Sequence, residues 1–135
     1  MMIFLSLFLS FSAAASETQI STSRVEGLSC TAVNVFGAST FRLDDEGRVR
    51  SLTNGFMPKD FHLSNLGNSQ EYGFGYINLS AGRDIVSFAF PGQPVSSGQR
   101  TFSGVMFLNQ VINPFLPVVG MGTPWAQVTC SLNVR

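Results

Sequence analysis

The clearest structural signal in the chain is the stretch GFGYINLSAGRDIVSFAF, from Gly73 to Phe90. Apolar residues alternate with others on both sides of Gly82-Arg83, which suits two antiparallel strands joined by a two-residue turn. The register set by that turn pairs Gly75 with Phe90, Ile77 with Phe88, and Leu79 with Val86. These residues then share one face, so the stretch predicts a hairpin with one face in a protein core.

A second hairpin is predicted at FRLDDEGRVR, residues 41–50. Asp44 suits the start of a type I turn, and Gly47 suits the last position of a three-residue loop with a bulge. This register pairs Asp44 with Arg48, Leu43 with Val49, and Arg42 with Arg50. A four-residue loop would set Leu43 against Arg48 and mix apolar and charged residues on one face, so the first register is preferred.

The remaining composition is that of a β-protein. Beyond residue 15 the chain has 24 Val, Ile and Thr residues and ten Phe, against ten Ala, Glu and Lys residues, and β-branched and aromatic side chains favour strands. The expected fold is all-β, a small antiparallel β-sandwich or β-barrel of about seven or eight strands. At most one short helix is expected, near 58–66, with Pro58 at its first position and Gly67 just past its end. Strands are predicted near 28–36, 39–44, 48–53, 72–80, 84–90, 100–108 and 125–134, with an eighth near 115–120.

The two cysteines of the chain are Cys30 and Cys130. An even number in an exported chain favours a disulfide, and its geometry requires Cα atoms within about 7 Å. The first and last predicted strands should therefore be neighbours, or face one another across the core. Two separate buried thiols are the alternative. With no Cys-x-x-Cys and a single histidine, neither a redox motif nor a zinc site is predicted.

The first fifteen residues predict a signal peptide. The stretch from Met1 to Ala15 has twelve apolar residues, three serines and no charge, and its Ala-Ala-Ala end fits cleavage after Ala15. It is shorter than the about 20 residues needed to span a bilayer, and no later stretch is apolar over such a length. We therefore expect one β-domain, residues 16–135, secreted or periplasmic and without a transmembrane segment. An uncleaved N-terminal anchor is the alternative.

Charge limits the classes of partner. Eight basic and eight acidic residues give a net charge of zero, which argues against binding nucleic acid or anionic lipid by bulk electrostatics. Arg42, Arg48 and Arg50 share a predicted face and form a candidate anion patch, although the carboxylates at 44–46 are close enough to neutralise them.

Few side chains suit catalysis, so no catalytic residue, metal site or cofactor is predicted. His62 is the sole histidine, and a nucleophilic triad would have to use it. A carboxylate pair could support glycoside hydrolysis, but the acidic residues lie mostly at predicted turns and strand ends. The Asp-Asp-Glu-Gly at 44–47 lacks the spaced ligands of a calcium loop. Asn78-Leu79-Ser80 matches an N-glycosylation sequon.

Two irregular stretches are candidates for function, because long loops in compact domains are often functional. Residues 91–99 predict a polar, flexible loop. Residues 113–125 are apolar and interrupted by proline, and they end at the only tryptophan. Phe115, Leu116 and Trp125 are therefore a candidate contact surface, and the alternative is that they close one end of the core.

The predicted function is that of an exported, non-catalytic β-domain that binds a partner or has a structural role in the periplasm, the envelope or the extracellular space. The first alternative is a β-barrel that binds a small apolar ligand. The second, less favoured, is a hydrolase that uses His62 or a carboxylate pair. The expected partner is thus an unidentified protein or a small apolar ligand.

Overall fold

The computed structural model of the protein describes residues 18–52, 60–108 and 124–135. These residues form nine β-strands and one turn of 3-10 helix, Thr22–Arg24. The strands are β1 (Thr18–Ile20), β2 (Val25–Asn34), β3 (Gly37–Leu43), β4 (Val49–Ser51), β5 (His62–Ser69), β6 (Phe74–Ala81), β7 (Asp84–Pro91), β8 (Gly98–Leu108) and β9 (Ala126–Val134). The prediction of an all-β fold is confirmed. The predicted strand near 115–120 lies outside the described residues.

All nine strands belong to one antiparallel sheet in the order β1-β5-β6-β7-β8-β9-β2-β3-β4. The sheet is not closed by a continuous strand pairing. One antiparallel bridge, between Arg48 just before β4 and His62 at the start of β5, brings these two strands together. Two backbone hydrogen bonds flank this bridge: the N–H of Val49 donates to the carbonyl of Phe61 at 2.7 Å, and the N–H of Leu63 donates to the carbonyl of Gly47 at 3.0 Å. The sheet is therefore rolled up around its core. We call the contact between residues 47–49 and 61–63 the seam.

Both predicted hairpin registers are confirmed. In the β6–β7 hairpin, Gly75 pairs with Phe90, Ile77 with Phe88, and Leu79 with Val86. In the β3–β4 hairpin, Arg42 pairs with Arg50 and Leu43 with Val49, and the N–H of Asp44 donates to the carbonyl of Arg48. In both cases the turn residues and the alternation of apolar side chains specified the same register.

The predicted short helix near 58–66 is wrong for the part that the structure describes, because residues 62–66 belong to β5. This strand obtains its backbone hydrogen bonds from β6 on one side and from β1 on the other, and such tertiary pairing overrides local helix signals. Gly67 is not a helix end. A Cβ at this position would meet the carbonyl oxygen of Thr18 and the Cα of Gln19, so glycine allows β1 to approach β5 closely.

The core lies inside the rolled sheet. The rings of Phe41 on β3 and Phe88 on β7 meet there with centroids 6.0 Å apart, and Phe90 contacts Phe102 in an edge-to-face arrangement at 4.5 Å. Phe41, Phe88 and Phe90 are fully buried, so aromatic side chains occupy part of the interior in which the apolar-ligand alternative would need a cavity. A second, smaller buried cluster lies on the opposite face of β6, β7 and β8 and consists of Phe74, Tyr76, Ala89 and Phe107.

The loop after β7 is anchored in the core at Val95, whereas the sequence predicted a polar, flexible loop. Val95 is only 1% exposed. The side-chain amide of Asn68 donates to its carbonyl at 2.6 Å, and the side-chain oxygen of Asn68 accepts from its N–H at 3.1 Å. The side chain of Asn68 therefore satisfies the hydrogen-bonding needs of both the N–H and the carbonyl group of Val95. The polar sequence around Val95 gives no indication of this contact.

Candidate functional site

The disulfide prediction is confirmed. Cys30 on β2 and Cys130 on β9 are direct register partners, bonded to each other with their Cα atoms 4.1 Å apart. β2 is the second strand of the structure, because the short β1 precedes it. Both cysteines are 1% exposed, so the disulfide is a buried structural cross-link out of reach of solvent thiols.

The structure gives two of the three arginines of the predicted anion patch acidic neighbours. Nε of Arg50 donates to Oδ2 of Asp44 at 2.9 Å, and Nε of Arg48 lies 3.9 Å from Oε2 of Glu46. Arg42 faces Arg50 directly across the hairpin. Two ion pairs therefore neutralise part of the positive charge of this hairpin. The distance between charged atoms is shorter in the Asp44–Arg50 pair than in the Glu46–Arg48 pair.

Asp44 organises the turn between β3 and β4. Its Oδ1 accepts hydrogen bonds from the N–H groups of Arg48 at 3.0 Å and Glu46 at 2.9 Å. The backbone hydrogen bond from Arg48 is the largest cause that lowers the pKa of this carboxyl below its ordinary value of 3.8, with smaller contributions from Glu46 and Arg50. The carboxylate is therefore a turn-forming group.

Replacing Asp44 by asparagine is expected to make the protein less stable at neutral pH, with a difference that disappears in acid. Because the pKa of Asp44 is lower in the folded chain, its contribution is fully present above the unfolded value of about 3.8 and is lost as the pH falls through the folded value. Urea unfolding of wild type and Asp44→Asn between pH 7 and pH 2 measures this. A difference that stays constant down to the lowest pH would contradict the assignment, and Asp45→Asn, which changes an exposed neighbour, is the control.

A polar cleft of about 500 Å³ opens beside the same turn. Its lining includes the partly buried Val25, Leu43 and Leu63 and the carboxylates of residues 26 and 44–46. A hydrolase that uses a carboxylate pair would require two of these side chains to converge in the cleft. Among the residues that the structure describes, no group of three or more His, Cys, Asp or Glu side chains is arranged to hold a metal ion.

The other sequence-derived candidates have separate positions. His62 is exposed at the seam where it bridges to Arg48. Asn78, the sequon residue, is 2% exposed, and its amide donates to Oδ1 of Asn65 at 2.7 Å. A glycan on this nitrogen is incompatible with the folded chain, since the atom lies inside the structure. Phe115 and Leu116 of the predicted contact surface lie outside the described residues.

The turn between β2 and β3 presents two apolar side chains to solvent. Val35 is 94% exposed and Phe36 is 78% exposed, both between the paired residues Asn34 and Gly37. Oδ1 of Asn34 accepts the N–H of Phe36 at 2.8 Å, and Gly37 has φ +136°, which favours glycine. The turn-forming residues therefore flank the apex, and the apex itself is free to be apolar.

Trp125 lies beside this turn, just before β9. Its ring stacks on that of Phe36 with centroids 6.0 Å apart and planes inclined by 25°, and it is 37% exposed. Val33, which is 50% exposed, precedes the turn on β2. We call Val33, Val35, Phe36 and Trp125 the apolar tip. Of the predicted contact residues, the structure places Trp125 here, and it adds three that the sequence analysis missed.

The comparisons with known proteins give no family for this chain. No protein-family model matches it, and neither the curated proteins nor the solved structures contain a significant match. Within the ranges that the structure describes, no helix is long and apolar enough to cross a membrane.

Proposed function

We propose that the protein is an exported β-domain of non-catalytic type that binds a partner through the apolar tip. The observation that carries this proposal is the exposure of Val35 and Phe36, 94% and 78%, at the apex of a hairpin. Single exposed apolar residues are ordinary on protein surfaces, whereas contiguous ones mark interaction sites. The apex of a turn is also a place where polar residues and glycine are usual.

The energetics of the tip favour binding. Removing a Val or Phe side chain from water contributes about 1.5–3 kcal/mol each, and aromatic side chains dominate the binding energy of many interfaces. The stack of Phe36 on Trp125 restricts both rings before a partner arrives, so less conformational entropy is lost on binding.

Three features support export and the absence of catalysis. The apolar N-terminal stretch ends in Ala13-Ala14-Ala15, as signal peptides do, and the Cys30–Cys130 disulfide suits an oxidising compartment. One of the carboxylates that line the cleft has a structural role, because Oδ1 of Asp44 accepts two backbone hydrogen bonds within its own turn. These features support a secreted or periplasmic binding domain over a hydrolase.

Site-specific photo-crosslinking tests this proposal. We expect a chain with p-benzoylphenylalanine in place of Phe36 to give a cross-linked adduct of defined mass in the cells that make it. The same group in place of Gln93, an exposed residue in the loop after β7, is the control and should not give that adduct. Identical adducts at both positions, or no adduct at position 36, would overturn binding through the tip. Mass analysis of the exported chain should show its N-terminus at Ser16.

A further inference from the structure

We propose that the partner of the apolar tip is the interfacial region of an electroneutral lipid bilayer, into which Val35, Phe36 and the exposed edge of Trp125 insert. This inference rests on the proposed function, because it names the partner of the same surface. It is carried by the size of the tip, its convex shape and the distribution of charge around it.

The size of the tip favours lipid over a folded protein. With the exposures of its four residues between 37% and 94%, the tip offers apolar surface on the order of 400 Å². A stable protein–protein interface buries about 800 Å² on each partner, and this also applies to a second copy of the chain. A bilayer requires no complementary shape, so a few protruding side chains are sufficient for reversible attachment.

The arrangement of the residues suits the boundary between headgroups and acyl chains. Val35 and Phe36 form the apex, and Trp125 lies beside Phe36 at the base of the turn. Tryptophan is favoured at membrane–water boundaries because its ring is apolar and its N–H is polar. The aliphatic and phenyl groups would therefore enter first, with the indole at headgroup depth.

The parts of the strands next to the tip carry no charge. Residues 27–41 and 124–134 contain no Asp, Glu, Lys or Arg, so insertion requires no desolvation of an ionised group, which is costly in a membrane. Because neighbouring strands are antiparallel, the β6–β7 turn lies at the same end of the sheet, and it contributes Arg83 and Asp84, of opposite sign. The carboxylates of residues 44–46 belong to the β3–β4 turn, at the other end of β3 from the tip. An uncharged tip matches uncharged or zwitterionic lipid.

Trp125 is the only tryptophan of the chain, so its fluorescence reports on the tip directly. Adding phosphatidylcholine vesicles to the full chain is expected to shift the emission to shorter wavelength and to reduce quenching by acrylamide. Because Phe36→Ser also changes the surroundings of Trp125, vesicle flotation is the second measurement. We expect this variant to partition about tenfold or more weakly than wild type, whereas Gln93→Ser binds as wild type does. Circular dichroism checks that both variants are folded.

Lipid composition and salt concentration distinguish insertion of apolar side chains from binding by charge. Vesicles that contain phosphatidylserine are expected to bind no more tightly than pure phosphatidylcholine, and 0.5 M NaCl is expected to leave binding unchanged, since attraction between charges would be screened. Binding that needs phosphatidylserine and is abolished by salt would overturn the inference, as would the absence of binding to both vesicles. If the adduct at position 36 is then a protein, the lipid inference fails and the proposed function stands. If no adduct forms there, both fail.

Discussion

Replacing Cys30 and Cys130 by alanine is expected to lower the free energy of unfolding by about 4–5 kcal/mol, because the cross-link joins residues far apart in sequence. The two cysteines are separated by 100 positions, so the disulfide removes much of the conformational freedom of the unfolded chain. Small domains have a total stability of about 5–15 kcal/mol, and the double variant is therefore expected to be only marginally folded.

Urea unfolding followed by circular dichroism measures this loss. The matched control is Thr31→Ala with Thr129→Ala, since these residues are the next register pair on the same two strands and carry no cross-link. Each threonine hydroxyl has one side-chain hydrogen bond, Thr31 with Thr40 and Thr129 with Ser103. We therefore expect the control to lose about 1–2 kcal/mol, well below the loss of the cysteine variant. If both double variants lose the same stability, local strand pairing rather than the disulfide accounts for the effect.

The second large effect is expected at Gly104 on β8. A Cβ at this position would meet the carbonyl oxygen of Ala89 and lie 2.8 Å from Cδ1 of Phe90. The oxygen belongs to the backbone of β7 and cannot turn aside as a side chain can. Gly104→Ala is therefore expected to destabilise the protein by about 3 kcal/mol, at the upper end of the usual cost of overpacking.

Gly27→Ala is the matched control for this substitution. Gly27 also lies in a strand, and a Cβ there has no atom within 4 Å. Because alanine loses less conformational entropy on folding than glycine, we expect this variant to lie within about 1 kcal/mol of wild type. Equal losses in thermal or urea unfolding for the two variants would show that β7 and β8 can separate to make room, and that the close approach at Gly104 is not required.

The parts of the fold that the sequence predicted correctly are those in which local signals agree. At Gly82-Arg83 and at Asp44, turn chemistry and apolar alternation indicate the same register, and both hairpins have it. β5 was missed because its apolar residues do not alternate cleanly: it contains a register shift between Leu63 and Asn65. Its pairing with β1 and β6 arises only when the sheet assembles. A short stretch of sequence around β5 gives no information about these partners.

The candidate site was predicted only in part for a similar reason. Trp125 stood out as the single tryptophan, at the end of an apolar stretch. The sequence predicts a strand that includes Phe36, although Asn34 and Gly37 have the spacing of the first and last residues of a type I turn. The contact between Phe36 and Trp125 joins residues far apart in the chain. The burial of Val95 could not be predicted for the same reason, because its hydrogen-bond partner Asn68 precedes it by 27 positions.

The position of β9 between β8 and β2 has a consequence for how the chain acquires its fold. β2 is made long before β9, yet its register partners on one side are residues 127–134. Because β9 joins the two parts of the sheet, strands made earlier cannot assemble completely during vectorial synthesis. Non-local pairing of this kind slows folding. Until β9 has been made, β2 and β8 each keep one edge without its partner strand, and such unpaired edges are the part of a β-protein most prone to aggregation.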